Sequence, residues 1–248
     1  MKDYVIQMLK NQSYTPSWMG VFINPFFLAR MSLADNIYKY RENLSNGKLL
    51  DVGCGSKPYE KFFNVSEYIG LDIDNPATRK RGQADYFYDG NKFPFGDDEF
   101  NNVLCNQVLE HVFNPEQFLL EIQRVLRPGG KLLLTVPFIW DEHEQPFDYG
   151  RYSSFGLKSL LEKTGFSVIE QDKINDDASI LFQLLNAYLF KITSRWYVLP
   201  KYLFTIFVMG PINILGLLSK VILPKNQDMY LDNIVLVEKL QDLIDESI

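Results

Sequence analysis

Cysteine is nearly absent: Cys54 and Cys105 are the two copies in 248 residues, which excludes a disulfide framework and an all-cysteine zinc site. Basic clusters are equally scarce. The densest, Arg79-Lys80-Arg81, reads as a solvated loop, and a formal net charge of -6 leaves no basic stripe of the kind a nucleic acid selects. No internal repeat or low-complexity tract interrupts the chain. The apolar run from Val21 to Ala29 is broken by Asn24 and Pro25 and has no basic region directly before it, so it does not read as a secretion signal. A cytoplasmic location is therefore expected. Histidine is also sparse, with two copies, His111 and His143.

What remains is ordinary for a soluble α/β chain, with 46% hydrophobic and 23% charged residues. The aromatic share of 15% is high, and part of the excess sits in the last quarter. From Lys48 onward short apolar runs alternate with turn residues and helical stretches, the rhythm of a parallel sheet. Strands are expected over 48–52, 68–74, 84–89, 100–105, 131–136, 166–171 and 233–238. A helix from Pro115 to Leu126 carries apolar residues at 118, 119, 122, 125 and 126 and is expected to be closed by Pro128-Gly-Gly. A second helix opens at Ser154 and ends at Gly165.

The sharpest local signal is Asp51-Val-Gly-Cys-Gly-Ser at the carboxyl end of the first strand, where open α/β sheets bind ligands. Gly53 and Gly55 let backbone approach a ligand without obstruction from a Cβ. Asp72, about 20 residues on, ends the second strand where a carboxylate accepts from ribose hydroxyls. A dinucleotide site would want a third glycine at the helix start. The run continues Ser-Lys-Pro-Tyr instead, so a cofactor without phosphates fits better.

Five segments in succession carry a family resemblance: Leu49-Leu-Asp-Val-Gly-Cys-Gly, Gly70-Leu-Asp-Ile, Asp89-Gly-Asn-Lys-Phe-Pro-Phe, Gln107-Val-Leu-Glu-His and Leu126-Arg-Pro-Gly-Gly. In that order and spacing the chain resembles class I S-adenosylmethionine-dependent methyltransferases. It is particularly similar to bacterial small-molecule and envelope-polysaccharide enzymes, which continue through Pro137-Phe138, His143, Pro146-Phe-Asp148-Tyr149 and Arg151-Tyr152-Ser153. The resemblance implies a Rossmann-like α/β sheet, mostly parallel with the last strand antiparallel, with helices on both faces and a helical insertion before the last strand. It also implies S-adenosylmethionine as cofactor. Asp51 would orient the glycine turn and the methionine amino end, with Gly53, Cys54 and Gly55 passing beneath the cofactor. Asp72 would hold the ribose, with Ile73 following it. Asp89 would accept from the adenine amino group beside Gly90. Asn106 and Gln107 would face the methionine portion and the transferring methyl.

In methyl transfer the sulfonium supplies the activation, and the protein positions the nucleophile and removes its proton. Both His111 and His143 follow strands and should lie at the carboxyl edge, so each is a candidate base. Asp148 and Arg151 are read as orienting His143 or gripping an acidic substrate, with Tyr149 beside them. Glu110, His111 and His143 raise a metal alternative. Related metal-dependent enzymes have two carboxylates, and Gln107 stands where the first would be, so no metal is expected.

The chain reads as a single domain: a helical cap over 1–47, a sheet core over 48–175 and 230–240, and an apolar helical insertion over 176–229. Tyr202 to Ser219 contains no charge, which flags a membrane-span candidate, but Gly210-Pro211 should kink or break its helix. A single crossing would also strand the final strand on the wrong side of a membrane. The stripe Gln183, Asn186, Lys191 and Ser194 makes the preceding arm amphipathic. The segment is expected to form a compact helical subdomain near the last strands, roofing the acceptor pocket. Its apolar surface would be covered by the domain itself, by a second copy, or by lipid at the inner membrane face.

The leading functional reading is methyl transfer to a hydroxyl of a sugar or lipid-linked glycan. Alternatives are a quinone or lipid methyltransferase, a non-catalytic cofactor-binding scaffold and, most distantly, an NAD-dependent reductase.

Overall fold

The computed structural model describes residues 11–240; residues 1–10, where the expected helical cap begins, lie outside the described residues. Helices α1 (Gly20–Ile23) and α2 (Phe27–Tyr40) are among the described elements that precede the sheet. The strands are β1 (Lys48–Val52), β2 (Glu67–Ile73), β3 (Tyr86–Tyr88), β4 (Phe100–Asn106), β5 (Leu126–Pro137), β6 (Phe166–Ile174) and β7 (Asp232–Lys239). They form one sheet in the order β3-β2-β1-β4-β5-β7-β6.

β1 is buried from Leu49 to Val52, as an apolar run covered on both faces must be. It pairs in parallel with β2 (Leu50 opposite Ile69) and with β4 (Leu50 opposite Val103). Strand order therefore reverses between β1 and β4, and their carboxyl ends flank the crevice where such sheets bind ligands. Leu231 N–H donates to the Ile174 carbonyl at one end and Leu240 N–H to Gly165 at the other, so β7 runs antiparallel to β6. The mostly parallel sheet with an antiparallel last strand agrees with the sequence reading.

Three helices connect these strands: α3 (Pro76–Arg81), α4 (Pro115–Val125) and α5 (Ser154–Lys163). α4 buries Phe118, Leu119, Ile122 and Val125, the stripe its periodicity predicts. The end of α4 differs from expectation, because Leu126 already belongs to β5. Phe100 pairs with Leu126 but Asn102 pairs with Lys131, so the residues between form a bulge. Gly129, at φ 73°, supplies the turn. Pro128-Gly-Gly kinks a strand here rather than separating a helix from one.

The chain folds as two compact units. One comprises residues 39–138, 142–172 and 233–240 and holds the β1–β5 motifs. The other comprises residues 11–38, 139–141 and 173–232, so the lead-in helices and the insertion belong together.

In that second unit, α6 (Ser179–Ile192) is followed by α7 (Val198–Phe204), a π-helical turn (Thr205–Met209) and α8 (Gly210–Ile222), which run on as one 25-residue helix. Gly210-Pro211 does not break it. In a regular α-helix the Pro211 ring would press on the carbonyl four residues back, and the wider π turn lies immediately before it. Gly216 allows close packing: a Cβ there would stand 2.4 Å from Leu28 Cδ1.

The polar stripe on α6 is divided between the inside and the outside of the unit. Gln183 and Asn186 are fully buried, whereas Lys191 and Ser194 remain exposed. Gln183 accepts from Ala29 N–H at 3.0 Å and donates to the Pro25 carbonyl at 3.2 Å. Asn186 donates to the side chain of Asn213 at 2.9 Å, and Asn213 donates to the Val21 carbonyl at 2.8 Å.

Candidate active site

The glycine turn after β1 is shaped by its neighbours. Gly53 (φ 70°) and Gly55 (φ 53°) take left-handed backbone, and both Gly53 N–H and Cys54 N–H donate to the Leu71 carbonyl. A Cβ on Gly53 would meet Val108 Cγ2 at 2.3 Å, whereas one on Gly55 would meet nothing within 4 Å. Gly53 thus admits the loop after β4, and Gly55 leaves the ligand side open. Cys54 is buried beneath this turn, and burial pushes its thiol up to about 12, so it packs and does not react at neutral pH. Burial likewise pushes the Cys105 thiol well up.

Asp51 is buried, and the Tyr68 hydroxyl donates to its Oδ2 at 2.7 Å. Burial dominates over that bond and over the pull of Lys57, so its carboxyl is pushed up to about 7. Asp72, at the end of β2, is also raised by burial, although the Ile73 N–H, Arg81 and the Gly55 N–H oppose the shift. Ile73 is 42% exposed, an apolar shelf beside Gly90, whose Cβ would lie 3.7 Å from Ile73 Cδ1. Asp89 is exposed, and its Oδ1 accepts from Asn91 N–H at 2.9 Å and Lys92 N–H at 3.3 Å. That carboxylate organises its own turn and stands available on the surface.

β4 and β5 meet at a buried group that sequence reading missed. Thr135, in register with Asn106, donates to Asn106 Oδ1 at 2.7 Å and accepts from Gln107 N–H at 3.2 Å. Gln107 N–H also donates to the Thr135 carbonyl at 3.0 Å, which holds Gln107 in left-handed backbone at φ 56°. Aligning the carboxyl ends of the two strands would have singled out Thr135. Nothing local marks it.

The two histidines come together. Their rings meet edge to face with centroids 4.8 Å apart. His111 Nδ1 lies 2.7 Å from the Phe147 carbonyl, which can only accept, so Nδ1 is the donor in that bond. His143 Nδ1 lies 3.3 Å from Asp148 Oδ2, and the same carboxylate accepts from the His143 backbone N–H at 2.9 Å. Arg151 forks onto Asp148 with bonds of 2.5 and 2.7 Å and holds its carboxyl down at about 2, so Asp148 is ionised throughout the working range. The Asp148 carboxylate therefore lies between Arg151 and His143. Tyr149 donates its backbone N–H to the Glu110 carbonyl at 2.7 Å, and its half-exposed ring packs on Phe113. The Glu110 carboxylate is buried, 3.8 Å from His111 Nε2, and Glu110, His111 and His143 bring donor atoms within 4.8 Å of one another.

Comparison with known proteins agrees with this architecture. Residues 50–134 match the family described as "Methyltransferase domain". A Mycolicibacterium smegmatis protein named "Probable S-adenosylmethionine-dependent methyltransferase" is 34% identical over 134 residues, covering 48% of this chain and 52% of that protein. The Aspergillus nomiae O-methyltransferase rstn1 is 27% identical over 157 residues, covering 54% of this chain and 70% of that one. The chain spans about half the length of most curated relatives it matches. Among solved structures, Haemonchus contortus phosphoethanolamine N-methyltransferase 2, in complex with S-adenosylhomocysteine, shares the fold at 17% identity. Its TM-score is 0.57, over 90% of this chain and 56% of that one. The cyclase SpnF shares it at 20% identity with a TM-score of 0.54, over 86% and 82%. With sheet order, glycine turn and family match in agreement, residues 50–134 carry the S-adenosylmethionine-dependent methyltransferase domain of this chain.

Proposed function

We propose that the protein transfers the methyl group of S-adenosylmethionine to a hydroxyl of a small acceptor, a sugar or a lipid-linked glycan intermediate, with His143 as the base. The carrying observation is the chain from Arg151 through Asp148 to His143, an ionised carboxylate that orients the imidazole through its Nδ1. The cofactor supplies the electrophilic methyl. Asp72 would hold the ribose, Asp51 the methionine amino end, and Asn106 and Gln107, braced by Thr135, the methionine portion.

The test uses methyl-tritiated S-adenosylmethionine with extracts separated into free sugars, lipid-linked glycans and quinones. Label is expected in alkali-stable ethers of a glycan fraction. Label confined to quinones, or cofactor binding with no transfer to any fraction, would overturn the reading. A second reading rests on the buried Glu110 beside both imidazoles: a divalent ion would activate the hydroxyl instead. Chelator-resistant transfer would eliminate it.

Asp51 predicts a pH dependence. With its carboxyl at about 7, much of the ligand-free protein holds a proton there at neutrality. The cofactor's ammonium would pair with the ionised form, so binding should release a proton. Affinity should therefore rise about tenfold as pH increases from about 6 to 8, and Asp51→Asn should flatten the dependence. Without ligand the same shift acts on folding. The folded-state value lies above the ordinary 3.8, so this group's contribution to stability falls as pH rises from about 4 towards 7. Calorimetry in buffers of different ionisation enthalpy reads the proton directly; pH-independent binding with no proton release would contradict the assignment.

A further inference from the structure

The helical unit buries polar side chains and exposes large apolar ones. Gln183, Asn186, Thr205, Asn213 and Ser219 on α6 and the long helix are among those buried. Its largest exposed side chains are apolar or aromatic: Tyr197, Val198, Leu199, Phe207, Val221 and Ile222 are each at least 67% exposed. In a water-facing helix the pattern runs the other way. An exposed surface of this kind marks an interaction site.

Charge and composition say what covers it. From Ala178 to Gln227 there is no carboxylate, while Lys191, Arg195, Lys201, Lys220 and Lys225 are present in a chain whose net charge is -6. Lys191 and Lys225 are paired with Asp141 and Asp176, and Lys220 bonds Ser32. Arg195 and Lys201 stand beside Trp196, Tyr197 and Tyr202 at one end of the surface, and Lys201 lies 4.1 Å above the Phe190 ring. Cations interleaved with amphipathic aromatics suit the headgroup level of an anionic leaflet.

The same unit argues against crossing. Asn226 N–H donates to the Asp176 carbonyl at 3.0 Å and Leu231 N–H to Ile174 at 3.0 Å, so the segment leaves and returns at one point. A return crossing would need α6 as the second arm. Its 14 residues reach about 21 Å, short of a hydrocarbon core of about 30 Å. The long helix is also packed on one side, through Gly216 and Asn213.

We propose that the outer face of α6–α8 lies in the interfacial layer of an anionic membrane, with Phe207, Val221 and Ile222 among the acyl chains and Arg195 and Lys201 at the phosphates. The inference stands apart from the methyl-transfer reading and would be consistent with an acceptor carried on lipid.

Flotation of the full chain with vesicles of phosphatidylcholine, alone or with about one third phosphatidylglycerol, tests it. Binding to the anionic vesicles is expected, weakening in high salt. The triple variant Tyr197→Ser, Phe207→Ser, Val221→Ser should lose about tenfold or more in partitioning while retaining its circular dichroism and its affinity for S-adenosylmethionine. Arg195→Glu with Lys201→Glu should reduce binding to anionic vesicles selectively. In a Trp18→Phe, Trp140→Phe background, brominated lipid should quench Trp196. Indifference to both vesicle types would overturn the proposal, and a concentration-dependent dimer under those conditions would assign the face to a second copy. Retained cofactor binding keeps either failure distinct from failure of the methyl-transfer reading.

Discussion

His143→Ala is expected to lower turnover by about 10²–10⁴ while affinity for S-adenosylmethionine stays near that of the unaltered protein. The two readouts should separate because, in the proposed reaction, the imidazole would act on the acceptor's proton while the cofactor would be held at the ends of β1, β2 and β4. Removal of the ring also leaves the Asp148–Arg151 pair intact, bonded at 2.5 and 2.7 Å, so the loop retains its main internal tie. His111→Ala is tested separately. Its Nδ1 is held by the Phe147 carbonyl at 2.7 Å, and its ring packs against His143, so its loss should cost less if it only orients the neighbour. Single-turnover measurements are the appropriate check, because slow product release would conceal a defect in chemistry. Full rate in both variants would mean that positioning suffices or that the acceptor arrives already ionised.

Asp72→Ala should weaken S-adenosylmethionine by about 1.5–3 kcal/mol, or roughly 10- to 150-fold, through loss of hydrogen bonds to a charged acceptor. The carboxylate is prepared for that role. It lies next to last in β2 opposite Phe87 of β3, its Oδ1 accepts from the Ile73 N–H at 2.9 Å, and burial keeps water from competing for it. Calorimetry with S-adenosylmethionine and S-adenosylhomocysteine should report the loss for both, since ribose is common to them. Undiminished affinity, or tight binding of NAD by the unaltered chain, would contradict the cofactor site.

The sheet was legible because its central strands are short apolar runs punctuated by glycine and aspartate, as in Leu49–Gly53 and Ile69–Asp72. The residues read as cofactor-binding lie on the punctuation itself. The start of β5 was not legible, since Pro128-Gly-Gly has the composition of a helix stop and only pairing with β4 makes it a bulge. Thr135 was hidden for a related reason: its importance comes from its neighbour across the ladder, which no local pattern records. The insertion was legible as helical but not in which side faces inward. Periodicity identifies which residues share a helix face, and Gln183 and Asn186 do. It does not say which face is inside, and the rule that polar residues face out misleads when their partners are the backbone carbonyls of Pro25 and Met209. The lead-in helices were read apart from the insertion because 150 or more residues separate Ala29 from Gln183, and only the folded chain brings them to 3.0 Å.

The short bond between Asn226 N–H and the Asp176 carbonyl has a consequence for how this family diversifies. A loop whose two ends are already joined can lengthen, shorten or be replaced at an entropic cost that grows only slowly with its length. The strands on either side, β6 and β7, need not change register to accommodate it. Selection can therefore vary what this enzyme touches outside its sheet almost independently of the residues that hold its cofactor.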